Sequence, residues 1–142
     1  MPARHLTVIC FDFGIRRIGV AVGQTVSASA KPLVTLHQPN GSPKWQPISD
    51  LISQWQPDLF VLGLPFHADG GESTLCKKVK HFGNQLQARY NLPIEYIDER
   101  LSSHEAEQLM LEDPTTRAKQ GGDIDHYAAK IILDSWFQER IR

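Results

Sequence analysis

An apolar run in this chain leads directly into an aspartate, and that aspartate restricts the possible folds more than any other residue. Residues 6–11 are almost entirely hydrophobic, Asp12 follows them, and a second apolar run begins at Ile18. Burial of a carboxylate at the end of a core strand is unfavourable unless the charge is paired or bound to a metal. Strand alternation places Asp12 on the face of Val8 and Cys10. Two interpretations remain open: a turn residue bonded to backbone amides, or a site carboxylate.

The order of the hydrophobic patterns predicts an α/β fold built on a mixed sheet. Residues 6–12 and 18–23 are typical of a β-hairpin, and residues 32–36 of an edge strand that starts at a proline. The later segments are a helix around residues 48–55, a buried strand at 59–64, a helix at 75–90, a strand at 94–98, a short helix after Ser102 and a final helix from about residue 124 to 140. This alternation predicts helices on both faces of the sheet and a site at the carboxyl ends of its strands.

Composition and charge restrict the class of protein. The 142 residues are 41% hydrophobic and 22% charged, which predicts one globular domain over residues 1–142. The net charge of −1 argues against a strong non-specific DNA binder, although not against an enzyme whose acidic site is neutralised by metal. Without a signal-peptide pattern or a membrane-length apolar run, we expect a cytoplasmic protein that does not bind membranes. The histidines and cysteines lack the spacing of a zinc site.

Further acids near predicted strand or helix ends are candidates for a site with Asp12. Asp98 and Glu99 are adjacent on an extended segment, so only one of them can share a face with Asp12; we favour Glu99 and keep Asp98 as its rival. Asp125 begins the last helix on its apolar stripe, although the helix dipole alone also favours an acid there. Three carboxylates suit Mg²⁺ or Mn²⁺, and two such ions roughly 3.5–4 Å apart support phosphodiester hydrolysis.

Basic side chains provide candidate contacts to substrate. Arg16 and Arg17 follow Asp12 closely and are well placed for a phosphodiester strand. Lys77 and Lys80 are candidates to hold phosphates, although a basic helix face is commonly just solvated. That face comprises Lys77, Lys78, Lys80 and His81.

Four ordered motifs resemble those of the YqgF/RuvX family, the Holliday-junction-resolvase-like members of the RNase H-like superfamily. The motifs are residues 11–23 (FDFGIRRIGVAVG), residues 63–65 with Asp69-Gly70 beyond them, residues 98–103 (DERLSS), and Asp125 followed by Ala128-Ala129. The resemblance spans essentially the whole chain. It implies an RNase H-like fold, in which a five-stranded mixed sheet with only the second strand antiparallel is flanked by helices.

The resemblance also implies a function and a ligand set. It implies a cytoplasmic nuclease that helps process the 5′ end of precursor 16S ribosomal RNA during ribosome biogenesis. By motif, Asp12, Glu99 (or Asp98) and Asp125 are the catalytic metal ligands, and Arg100 steadies the acids or a phosphate. The implied partners are structured RNA, with the ribosome or its assembly factors as additional candidates.

One departure from the family pattern keeps alternatives open. Related resolvases carry a fourth acidic or histidine residue about three positions before the last aspartate, and that position here is Gly122. The alternatives are a resolvase-like nuclease acting on branched DNA and a non-catalytic RNA-binding assembly factor. We further expect a monomer, and a lid formed by residues 112–122 over the substrate.

Overall fold

A computed structural model describes residues 5–65, 74–98 and 125–141, with only the backbone described for Asp125, His126 and Ile141. The elements are β1 (Thr7–Phe13), β2 (Arg17–Gln24), β3 (Ser29–His37), α1 (Trp45–Trp55), β4 (Leu59–Leu64), α2 (Thr74–Tyr90), β5 (Ile94–Asp98) and α3 (Asp125–Ile141). The predicted short helix after Ser102 and the predicted lid at 112–122 lie outside the described residues. Among the described helices, none is long and apolar enough to span a membrane.

The strands form one five-stranded sheet in the order β3-β2-β1-β4-β5. β2 is antiparallel to β1 and to β3, whereas β1, β4 and β5 are mutually parallel, so the predicted mixed sheet is confirmed. The edge strand β3 begins at Ser29, before the predicted start at Pro32. Pro32 pairs with Ala21 where the register shifts after Val20, and an edge strand or a bulge tolerates the missing N–H of proline.

The two faces of the sheet are covered by different helices. On one face, Phe11 and Phe13 of β1 contact Phe82 of α2, with ring centroids 5.5 and 4.9 Å apart. On the other face, Val8 and Cys10 belong to a separate buried cluster with α3. The α3 residues in that cluster are Ala129, Ile132, Leu133, Trp136 and Phe137. Successive residues of β1 therefore serve opposite layers of the core, as the pleat of a strand requires.

The contacts near the carboxyl end of α3 place that end over the start of β1. Phe137 packs against Gly23, which pairs with Val8 at the start of β1. The helix packs on the same face of the sheet as Val8 and Cys10, which by strand alternation is also the face of Asp12.

We predict that Gly23→Ala lowers the free energy of unfolding by about 1–3 kcal/mol, measured by urea denaturation. A Cβ at position 23 would lie 2.7 Å from the carbonyl oxygen of Ser29 and 2.6 Å from Cε2 of Phe137, so backbone as well as a ring must move. Gly83→Ala is the control. Its new Cβ would meet mainly the hydroxyl end of Tyr96, a movable side chain, and alanine favours the helix. Equal losses in the free energy of unfolding in the two variants would contradict the proposed packing of α3 on β2.

Candidate active site

Asp12 lies near the carboxyl end of β1 and is partly buried. Its strand face is that of Val8 and Cys10, which is the α3 face. Across the antiparallel pair Asp12 is opposite Gly19. On the β4 side the adjacent position is Gly63, which follows Leu62, the partner of Phe11. Neither cross-strand neighbour of Asp12 contributes a side chain on this face. The carboxylate of Asp12 is therefore the polar group at this position of the sheet surface.

Helix α3 packs on the face of the sheet to which Asp12 belongs, and its described part begins at Asp125. The backbone of Asp125 is helical. Its side chain, and the whole of Glu99 and Arg100, lie outside the described residues. Within the part of the chain that the structure describes, there is no group of three His, Cys, Asp or Glu residues able to hold a metal ion.

The alternation along β5 separates Asp98 from Asp12. Glu95 accepts a 3.0 Å hydrogen bond from Nε1 of Trp136 on α3, and Ile97 belongs to the cluster under α3. Asp98 pairs with Leu64, whose side chain is in the opposite cluster under α1 and α2. Asp98 is therefore on the other face of the sheet from Asp12.

The turn after Asp12 is held by a glutamine that sequence reasoning did not identify. Gln38 is only 1% exposed; its backbone N–H donates to the carbonyl of Arg16 at 2.8 Å, and its side-chain amide donates to the carbonyl of Gly14. The N–H of Gly14 donates to the carbonyl of Arg17 at 2.8 Å. Gln38 therefore fixes the segment that carries both candidate arginines. It lies in a stretch that reads as loop, and no local pattern indicates its burial.

The structure places Lys77 and Lys80 in different surroundings. Lys77 lines a cavity of about 450 Å³ between α2 and residues 41–45. Lys80 lies near Tyr96 of β5: burial raises the pKa of Tyr96 above its ordinary value of 10.0, and the positive charge of Lys80 acts in the opposite direction. Lys77 thus lines the cavity, whereas Lys80, one turn further along α2, lies beside β5.

We predict that Gln38→Glu lowers the free energy of unfolding by about 3 kcal/mol at pH 8. A carboxylate would be buried in place of the amide and would face the carbonyl oxygen of Gly14 without a proton to donate. Burial disfavours the charged form, so most of the loss should disappear near pH 4, where a protonated carboxyl can donate. Gln54→Glu, at an exposed position of α1, is the matched control in the same urea titrations. A similar, pH-independent change in the free energy of unfolding of both variants would contradict the role of Gln38 in holding the turn after Asp12.

We predict that Lys80→Met raises the pKa of Tyr96 further, because the nearby positive charge that opposes the effect of burial is removed. NMR titration of isotope-labelled tyrosine rings measures the change. Lys77→Met should leave the pKa of Tyr96 unaltered. A shift in the Lys77 variant, or none in the Lys80 variant, would contradict the placement of Lys80 rather than Lys77 beside Tyr96.

Comparison with known proteins is consistent with this arrangement. Residues 6–139 match the family model RuvX, described as Holliday junction resolvase. A protein of Nitrosococcus oceani is 46% identical over 140 residues, covering 98% of this chain and 91% of the relative. A protein of Coxiella burnetii is 43% identical over 140 residues, covering 99% and 98%. Both relatives carry the name "Putative pre-16S rRNA nuclease".

Solved structures share the fold at low sequence identity. Thermus thermophilus RuvC, determined with a Holliday junction substrate, gives a TM-score of 0.56 at 16% identity and covers 96% of each chain. The fowlpox virus resolvase, determined with Holliday junction DNA, gives 0.56 at 11% identity, covering 96% of this chain and 100% of that one. The expected RNase H-like fold is thereby confirmed. On the match over residues 6–139 and the relatives above 40% identity, the chain belongs to the RuvX family.

Proposed function

We propose that this chain is a nuclease that uses a divalent metal to hydrolyse phosphodiester bonds of precursor 16S ribosomal RNA at its 5′ end. The observation that carries the proposal is the position of Asp12. It is a partly buried carboxylate at the carboxyl end of the central strand, with glycines as its cross-strand neighbours, on the face of the sheet that α3 covers. Membership of the RuvX family and the names of the relatives support a nuclease of this substrate class.

The proposed ligands are Asp12, Glu99 and Asp125. The alternation along β5 favours Glu99 over Asp98, because residue 97 faces α3 and residue 98 faces α2. Carboxylate oxygens are the donors that Mg²⁺ and Mn²⁺ prefer, so the residue types fit such an ion. When bound, the metal supplies an activated water and charge stabilisation at the scissile phosphate.

The proposed substrate contacts begin with the turn that follows Asp12. Arg16 is exposed and Arg17 is partly buried; Gln38 donates to the carbonyl of Arg16, and the N–H of Gly14 donates to the carbonyl of Arg17. Guanidinium groups there can neutralise the phosphates on either side of the cleaved bond. Arg100 is proposed to steady the carboxylates or a phosphate. Because the chain has a net charge of −1, such local cations must supply the attraction for RNA.

We predict that Asp12→Asn reduces cleavage of leader-containing precursor 16S RNA in Mg²⁺ or Mn²⁺ by about 10³-fold, equivalent to about 4 kcal/mol of transition-state stabilisation. The amide cannot supply the negative charge that the metal needs. Asp50→Asn, an exposed carboxyl of α1, is the control and should cleave normally. Gel assays of RNA and of a four-way DNA junction, with EDTA as the blank, measure both substrates. Equal activity in the two variants would refute the role of Asp12, and preferential junction cleavage would favour a resolvase.

We predict that Glu99→Gln weakens Mn²⁺ binding and cleavage together, by about tenfold or more, whereas Asp98→Asn changes both less than threefold. The reason is the face on which each side chain leaves the strand. Calorimetric titration with Mn²⁺ and the RNA cleavage assay give the two readouts. A larger loss in the Asp98 variant would reverse the assignment.

A further inference from the structure

A groove lies beside the proposed active site, on the α2 side of the sheet. Its volume is about 450 Å³, within the range of binding sites for small ligands. Aromatic rings of Phe13, Trp45 and Phe82 form its apolar part. The described residues that line the remainder include Thr74, Lys77, Lys78, His81 and Gln85 of α2. The groove therefore combines an aromatic floor with a cationic wall.

The aromatic floor is held in place by its own contacts. Trp45 and Phe82 stack with centroids 5.8 Å apart at an interplanar angle of 22°, and Phe13 lies 4.9 Å from Phe82. The guanidinium of Arg89 sits 4.1 Å from the centre of the Trp45 ring. Rings supported in this way keep their positions when a ligand enters, which lowers the entropic cost of binding. Phe13 and Phe82 are themselves buried, 7% and 1% exposed, so the partly exposed ring of Trp45 is the surface on which a nucleobase can stack.

The described wall of the groove carries positive or neutral side chains. Lys77, Lys78 and His81 are exposed on α2, and none of the described lining residues is an aspartate or glutamate. Neither lysine forms a salt bridge with a described residue. In a chain with a net charge of −1, this concentration of cations favours a local anionic partner such as a phosphodiester.

The groove is adjacent to Asp12 through the chain itself. Phe13 follows Asp12 directly, so their Cα atoms are about 3.8 Å apart, and the two side chains leave opposite faces of β1. Phe13 lines the groove, whereas Asp12 faces α3. A strand bound at Asp12 can therefore cross the end of β1 and continue into the groove.

We propose that this groove binds an unpaired nucleotide of the RNA near the cleaved bond, with its base against the ring of Trp45 and its phosphates at Lys77 and Lys78. The inference rests on the proposed function and adds a requirement for single-stranded RNA beside the scissile phosphate. It also assigns a phosphate contact to Lys78, which the sequence pattern placed on the basic helix face.

Binding without cleavage tests the groove separately from the chemistry. The probe is a fluorescein-labelled, unstructured RNA decamer, titrated with the full chain in EDTA and followed by anisotropy at several salt concentrations. Lys77→Glu should weaken binding about tenfold and reduce the salt slope by about 0.7, the loss of one phosphate contact. Lys31→Glu makes the same charge change at an exposed position of β3, opposite Val22, and should change the affinity less than twofold. Equal affinities in the two variants would overturn the proposal.

The base contact needs a second probe. A decamer that lacks bases along its length should bind about tenfold more weakly, because stacking is lost while the phosphates remain. RNA carrying 5-iodouridine should crosslink on irradiation to peptides that contain Trp45 or His81. Crosslinks confined to peptides outside residues 41–45 and 74–85 would overturn the proposal.

The two proposals fail in distinguishable ways. RNA that binds and crosslinks at the groove, but is not cleaved in Mg²⁺ or Mn²⁺, would refute the nuclease and leave the groove standing. Cleavage that requires Asp12, together with RNA binding that is indifferent to Lys77→Glu, would refute the groove and leave the nuclease standing.

Discussion

The pleat of β1 is the constraint on which the rest of the structure depends. The strand is central, and its backbone pairs with β2 on one side and with β4 on the other. Its side chains alternate between the aromatic cluster under α2 and the cluster under α3. Each helix therefore packs on a surface that β1 partly defines. Because the same alternation continues to the end of the strand, it also assigns Asp12 and Phe13 to opposite faces.

That alternation divides the carboxyl end of the sheet into two chemical environments. The α3 side carries a carboxylate with glycine neighbours, which suits a cation, and the α2 side carries aromatic rings with lysines, which suit a base and its phosphates. In the proposed function the cations attract the RNA and the carboxylates hold the metal. In a chain of nearly neutral net charge, separation of the two environments by one strand limits the repulsion between the carboxylates and the phosphates.

Much of the fold was predictable because its signals are local. A two-residue period, a helical period and the placement of prolines predict the order of strands and helices, and the four motifs predict the superfamily. The register shift after Val20, which admits Pro32 into β3, was not predictable because it depends on pairing between two strands. Gln38 illustrates the same limit. Gln38 is buried where it donates hydrogen bonds to the Gly14–Arg17 turn, more than twenty residues earlier in the chain. The segment that contains Gln38 has the composition of an ordinary loop.

By itself the sequence determined which chemistry the chain can offer: an aspartate at the end of an apolar strand, acids at later strand and helix ends, and arginines beside the first of them. Residue type and spacing are properties of the sequence, so these candidate groups could be identified without the three-dimensional structure. Only the tertiary structure decided which groups share a surface. It placed Asp98 on the opposite face of the sheet from Asp12, packed α3 on the face of Asp12, and placed Lys77 at the groove and Lys80 beside Tyr96. The physical reason is that a side chain's neighbours in space come from strand register and helix packing, which no local period specifies.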